Sequence, residues 1–290
     1  MSTMIRKSTG SRLFDWGNTL FLTVFCAVTF YPLWHEISMS FSSTAGALRG
    51  GLFLGPREFT VAAYESVFES SFIWLAYRNS IIVAVCGTLL HVLLTAMTAY
   101  PLNRSSLPGV KVITFLVLFT MLFGGGLIPT YLLVKSLGLI NSLWALIIPG
   151  MISAFNVIVM QSFMRTIPDE IEESATIDGA NPLRIFFTIV LPLCKPVLAT
   201  IALWECVGLW NNFMQALIYL NDKSLYTLPL LLKQIIAGQQ LVAESGQTTE
   251  SSTESVIAAT IVVSIIPVMC VYPFLQKYFM KGTMLGSVKS

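Results

Sequence analysis

Ionisable side chains are scarce in this chain, and the few that fall in apolar surroundings are where chemistry would have to reside. Glu205 is the one charge in the run 196–221, and His91 is the one histidine in the run 79–103. A carboxylate inside a bilayer costs about 2.5 to 3.5 kcal/mol even on the lenient insertion scale, so Glu205 marks either a polar pathway or a hydrogen bond between helices. His91 has no titratable neighbour in sequence and reads as a packing histidine. Hydrolytic chemistry within apolar runs would need a serine with a histidine or two aspartates, and none of the six apolar runs named below contains an aspartate. No G-x-x-x-x-G-K-[ST] segment is present to cradle phosphates. Cys26, Cys86, Cys194, Cys206 and Cys270 are far apart with no C-x-x-C pair, so they read as small hydrophobes, and no metal site is expected.

The elements that must position these groups follow from composition. Of 290 residues, 55% are hydrophobic and 11% charged, against roughly 25% charged in a soluble domain. So little polar surface excludes a soluble enzyme, and a net charge of +2 without a dense basic patch excludes a nucleic-acid binder. Six runs are long enough to cross a bilayer as helices: 16–34, 79–103, 112–134, 136–164, 196–221 and 255–276. The first is too long for a signal peptide and ends in bulky residues, so it is kept as a span. If the N-terminus is cytoplasmic, the inner flanks hold eleven Lys and Arg against six outside, which favours both termini inside. The expectation is therefore an all-α membrane protein with a cytoplasmic N-terminus at 1–15, a first span at 16–34 and an extracytoplasmic connection at 35–78. A membrane core at 79–276 and a cytoplasmic tail at 277–290 complete it. Gly124 to Gly126, ahead of Pro129, are expected to allow a bend and close helix approach.

The inner segment 165–195 is too acidic to be a plain linker. It holds Asp169, Glu170, Glu172, Glu173 and Asp178, with no base between Thr166 and Leu183. Thr166 and Asp169 form a T-x-x-D capping box, and Pro168 belongs in the first turn. Ile167, Ile171, Ser174, Ala175 and Asp178 then share one helical face. Gly179 supplies a left-handed stop, and Asn181-Pro182 caps a second helix running to Leu191-Pro192. A helix lying on anionic headgroups should be basic, so an acidic one points instead to a groove on a partner protein.

The string Glu173-Ser-Ala175-Thr-Ile-Asp178-Gly179-Ala180, followed by Ile189-Val-Leu191-Pro192, resembles the EAA loop of the membrane subunits of bacterial ATP-binding-cassette importers. Ser174 stands where alanine is usual, and both are small. Similarity extends from about Arg78 to Lys289 through Arg78-Asn79-Ser80, Gly124 to Tyr131, Trp210-Asn-Asn-Phe213 and the tail from Lys281. These stretches resemble sugar permeases of the maltose-transporter type, particularly a branch handling oligosaccharides such as alginate, rhamnogalacturonan and aldouronate fragments. The resemblance implies a type I importer permease fold with six spans. Its partners would be an ATPase homodimer carrying ATP and Mg²⁺, a second homologous permease and an extracytoplasmic solute-binding protein, while this chain binds no cofactor. Glu173, Ser174, Ala175, Asp178, Gly179, Ala180, Leu191 and Pro192 would couple the ATPase to the spans. Ser174 and Ala175 would permit close approach, and Glu173 would meet a donor on the partner.

Within that reading, Glu205, Trp210, Asn211 and Asn212 are candidates for the substrate pathway, because sugars are held by an aromatic platform with amide or carboxylate groups. A carboxylate there would repel uronates unless a base from the partner permease offsets it. Residues 228–236 form a short amphipathic stretch, and 237–254 are expected to face the binding protein. The competing class, an ion-coupled secondary transporter, should show several buried charges and symmetric halves, and the sequence shows neither.

Overall fold

In the computed structural model, which describes residues 9–104, 107–244 and 253–286, helices account for every regular element and the only β-type contact is an isolated bridge between Ser42 and Phe59. The chain divides into two compact units, residues 1–69 with 235–263 and residues 70–234 with 264–290.

The first unit opens with α1 (Thr9–Ser40), whose side chains lie exposed from Trp16 through Phe30. It outruns the expected 16–34 span at both ends. After it, α2 (Thr44–Leu48) and α3 (Ala62–Glu69) give structure to what the sequence presents as a bare connection. Ser43 caps α2 by accepting the Gly46 amide at 3.0 Å. Its hydroxyl donates to Glu58, which also pairs with Arg49 at 2.9 Å. Arg57 lies over the Phe53 ring at 4.5 Å and donates to the Gly50 carbonyl.

The second unit is organised on α4 (Ser71–Leu102), a straight helix long and apolar enough to cross a membrane. It begins before the expected residue 79 and takes Arg78 into the helix. Asn79 and Ser80 are buried, donating to the Ser224 and Tyr226 carbonyls and accepting the Leu228 amide at 2.8 Å. Small residues let α4 approach its neighbours, and a Cβ on Gly87 would strike the Leu209 side chain.

The remaining runs are broken. The run 112–134 becomes α5 (Val110–Leu122) and α6 (Leu127–Ser136), bent by 116°. Gly126 has φ +81°, which suits the bend, and among the described residues nothing lies within 4 Å of a Cβ at Gly124 or Gly126. The run 136–164 shrinks to α7 (Trp144–Ile147) with a 3₁₀ turn to Gly150, then α8 (Ala154–Met164) after a 53° bend. Next come α9 (Asp169–Ile177), α10 (Pro182–Ile185), a π-turn at Phe186–Val190 and α11 (Leu191–Leu193). Then α12 (Lys195–Trp210) stops short of the expected residue 221, and α13 (Met214–Tyr219) is a separate helix. Two terminal helices follow, α14 (Leu228–Glu244) and α15 (Thr253–Gly286). Two helices are long and apolar enough to cross a membrane unbroken, and three bent pairs qualify together. The polar run at 245–252 and the tail at 287–290 lie outside the described residues.

Candidate functional site: an acidic hairpin fastened to a long helix

Local sequence explains the hairpin at 165–195. Asp169, Glu170 and Glu172 fill the first turn of α9, where backbone amides point at them. The helix ends at Gly179, with φ +82°, a conformation that a side chain would strain. Asn181 accepts the Arg184 amide at 2.8 Å and Pro182 opens α10. The Thr166 capping box does not form. Its hydroxyl donates back to the Phe163 carbonyl at 2.7 Å, and Pro168 takes the cap position with no side-chain bond. The π-turn at Phe186–Val190 is a second departure from the two plain helices expected.

No residue of α9 is buried. Ile167, Ala175 and Ala180 turn toward a core formed by Leu102, Ile185, Phe186 and Val190, while Ile177 is 86% exposed and Leu183 66% exposed. Glu173, Ser174, Asp178 and Gly179 lie on the open side, and Pro192 is exposed where α11 leads into α12. Leu191 packs against the core. Charge is thus divided between adjacent carboxylates: Glu172 is held by Arg104 at 2.7 Å and accepts the Tyr100 hydroxyl at 3.1 Å, whereas Glu173 has no hydrogen bond or ion pair among the described residues. Arg104 and Tyr100 are also bonded to each other.

The four pathway candidates are not brought together. Trp210 is buried against Ala76, Ala84 and Leu228. Asn211 donates to the Val207 carbonyl, and Asn212 accepts the Gln215 amide at 3.2 Å in the first turn of α13. Glu205 points elsewhere, to His91 at 3.4 Å. The His91 Nδ1 is 3.0 Å from the Gly150 carbonyl, which can only accept, so Nδ1 carries the proton and the Asn156 amide donates to Nε2 at 2.8 Å. His91 is buried, as a packing residue would be, yet it has the titratable neighbour that sequence proximity did not reveal. The available signal was that spans otherwise free of charge held two ionisable groups, which tend to pair in an apolar medium.

The family model described as "binding-protein-dependent transport system inner membrane component" matches residues 2–284. The chain belongs to this family. It is 44% identical over 283 residues to the polygalacturonan/rhamnogalacturonan transport system permease protein YtcP of Bacillus subtilis, covering 96% of this chain and 99% of that one. Protein LplC of the same organism is 41% identical over 98% of each. A crystal structure of a bacterial ABC transporter involved in import of the acidic polysaccharide alginate has a matching chain at TM-score 0.87 and 35% identity, covering 94% of this chain and 99% of that chain. The protein is therefore an inner-membrane permease subunit with a type I importer fold. It is not the subunit that hydrolyses ATP.

Proposed function

We propose that this permease carries an oligosaccharide, of the polygalacturonan, rhamnogalacturonan or alginate kind, from an extracytoplasmic binding protein into the cell. The observation that carries the coupling half of this reading is the exposed acidic face of α9, ended by the left-handed Gly179, on a chain whose relatives are importer permeases. The two unbroken helices, the bent pairs α5–α6 and α7–α8, α12 and α15 make six crossings in this reading. Both termini and the hairpin at 165–192 then lie in the cytoplasm, and 35–78 lies outside. An ATPase homodimer holding ATP and Mg²⁺ would grip α9, with Glu173 meeting a donor in its cleft and Ser174, Ala175 and Ala180 letting the backbones close. Asp178, Gly179, Leu191 and Pro192 would set the angle of the hairpin. A second permease completes the pathway. Glu205 remains the pathway candidate with the most direct support, because a carboxylate with 20% of its side chain exposed beside a polar cluster is open enough to meet a hydroxyl. The uronate groups of an acidic cargo would then need basic groups from the second permease.

Binding of neutral and uronate-containing oligosaccharides to the cognate binding protein, followed by uptake in proteoliposomes, tests the cargo. Saturable binding and ATP-driven uptake of an oligogalacturonate or alginate oligomer is expected. Uptake restricted to a non-carbohydrate solute would overturn the reading.

A further inference from the structure

Both limbs of the hairpin converge on the C-terminal end of α4, at Tyr100 in its last turn and Arg104 just beyond Leu102. From the first limb, Glu172 reaches Arg104 at 2.7 Å and the Tyr100 hydroxyl at 3.1 Å. From the second, the buried Phe186 ring at the start of the π-turn lies 5.0 Å from the Tyr100 ring, centroid to centroid. The Arg104 guanidinium closes the cluster over the face of Tyr100 at 4.8 Å. Among the described residues, Glu172 is the only side chain of α9 with a polar tie to another element, since the Ser174 and Thr176 hydroxyls donate to carbonyls of their own helix. The pair is about one-third exposed, at 34% and 28%, so it is partly desolvated without being sealed from water. A bidirectional push or pull on α9 needs such a directional tie, because the apolar contacts of Ile167 and Ala175 resist compression but give way under tension. About 13 Å further along α4, at ~1.5 Å per residue, His91 holds the Gly150 carbonyl at the bend between α7 and α8 and faces Glu205 on α12. The helix therefore links the hairpin, at one end, to a break in a span and to the pathway carboxylate.

We propose that Arg104 and Glu172, with Tyr100, form the strut through which movement of α9 is delivered to α4, and that they are positioning residues for energy coupling. This rests on the docking of α9 to the ATPase put forward above. The strut explains why two adjacent glutamates differ in surroundings: Glu172 faces the chain's own helix and Glu173 faces the partner.

The test uses the complete transporter in liposomes, with the charge swap across the pair. Arg104→Glu and Glu172→Arg singly are expected to lower kcat for ATP at least about fivefold at unchanged KM, the lower end of ordinary site-to-site coupling. The ATPase should still co-purify and the thermal midpoint of the complex should hold. The double variant is expected to return to within about twofold of the parent, since the two charges are restored in reversed order. Parental turnover in both single variants, a double no better than the worse single, or a lowered midpoint that accounts for the lost turnover would each overturn the strut. Gly179→Trp separates this from the docking reading. If it silences hydrolysis while the swaps do not, only the strut falls, and if Gly179→Trp couples normally, docking itself falls.

Discussion

Glu172 and Glu173 are one residue apart, which turns them by about 100° around α9, and that rotation decides their roles. The first is paired with Arg104, and the second has no polar partner among the described residues, as the docking proposal requires. Glu173→Ala is expected to reduce ATPase-dependent uptake about tenfold or more while the chain still reaches the membrane, because a charge-assisted contact across the docking surface contributes roughly 1.5 to 3 kcal/mol. Uptake assayed alongside immunoblotting of the membrane fraction checks it. At His91 the expected loss is one of stability. His91→Leu strands the Gly150 carbonyl and the Asn156 amide in a buried setting, at a cost of about 1 to 3 kcal/mol for each group left unpaired. A lowered thermal midpoint in detergent is the expected result. Glu205→Gln keeps a hydrogen-bonding side chain beside His91 while removing charge, so assembly should survive and substrate affinity or transport rate should change. An unchanged uptake profile would assign Glu205 to packing.

At the scale of elements, α4 and α12 pass closely at Gly87, where an added Cβ would force the tip of the Leu209 side chain to turn aside. Gly87→Val is expected to destabilise the chain by about 1 to 3 kcal/mol, the usual range for overpacking, and loss of folded protein on heating in detergent reports it. Features set by neighbouring residues were legible in the sequence: the left-handed Gly179, the Asn181 cap with Pro182 behind it, and the six apolar runs. Some local patterns misled, and contacts between distant elements left no pattern. Thr166 had the residue types for a capping box, but its hydroxyl found a nearer acceptor in the turn before it. The run 136–164 has the length of one span and no charge to interrupt it, yet Gly138 and Asn141 take positive φ and Gly150 ends a 3₁₀ turn, so it is a short helix, a bend and a second helix. His91 and Glu205 come together only because α4 packs on α12, which no local pattern announces. Glu205, Trp210, Asn211 and Asn212 read as candidates for one pathway and divide between a pairing with His91, a packed core, a backbone contact and an accepted amide.

For the whole molecule, the proposed coupling sets an exposed acidic hairpin beside helix pairs that are bent at breaks of a few residues. The breaks at Phe123–Gly126 and at Gly150–Ser153 leave backbone groups that only a protein interior or a water-filled cavity can satisfy, which suits a pathway better than a lipid-facing wall. The topology itself is testable by labelling single introduced cysteines from either side of sealed vesicles: Ile177→Cys is expected to react from the cytoplasmic side and a cysteine at Leu54 from the other. The claim on which all of this depends is that α9 is held by a separate ATPase chain. Ile177, 86% exposed at the end of α9, is the place to test it. With Ile177→Cys and a short bifunctional reagent in native membranes, the expected product joins this chain to the ATPase subunit, in a yield that changes when ATP is bound. Cross-links confined to phospholipid, while ATP-driven uptake continues, would contradict the account.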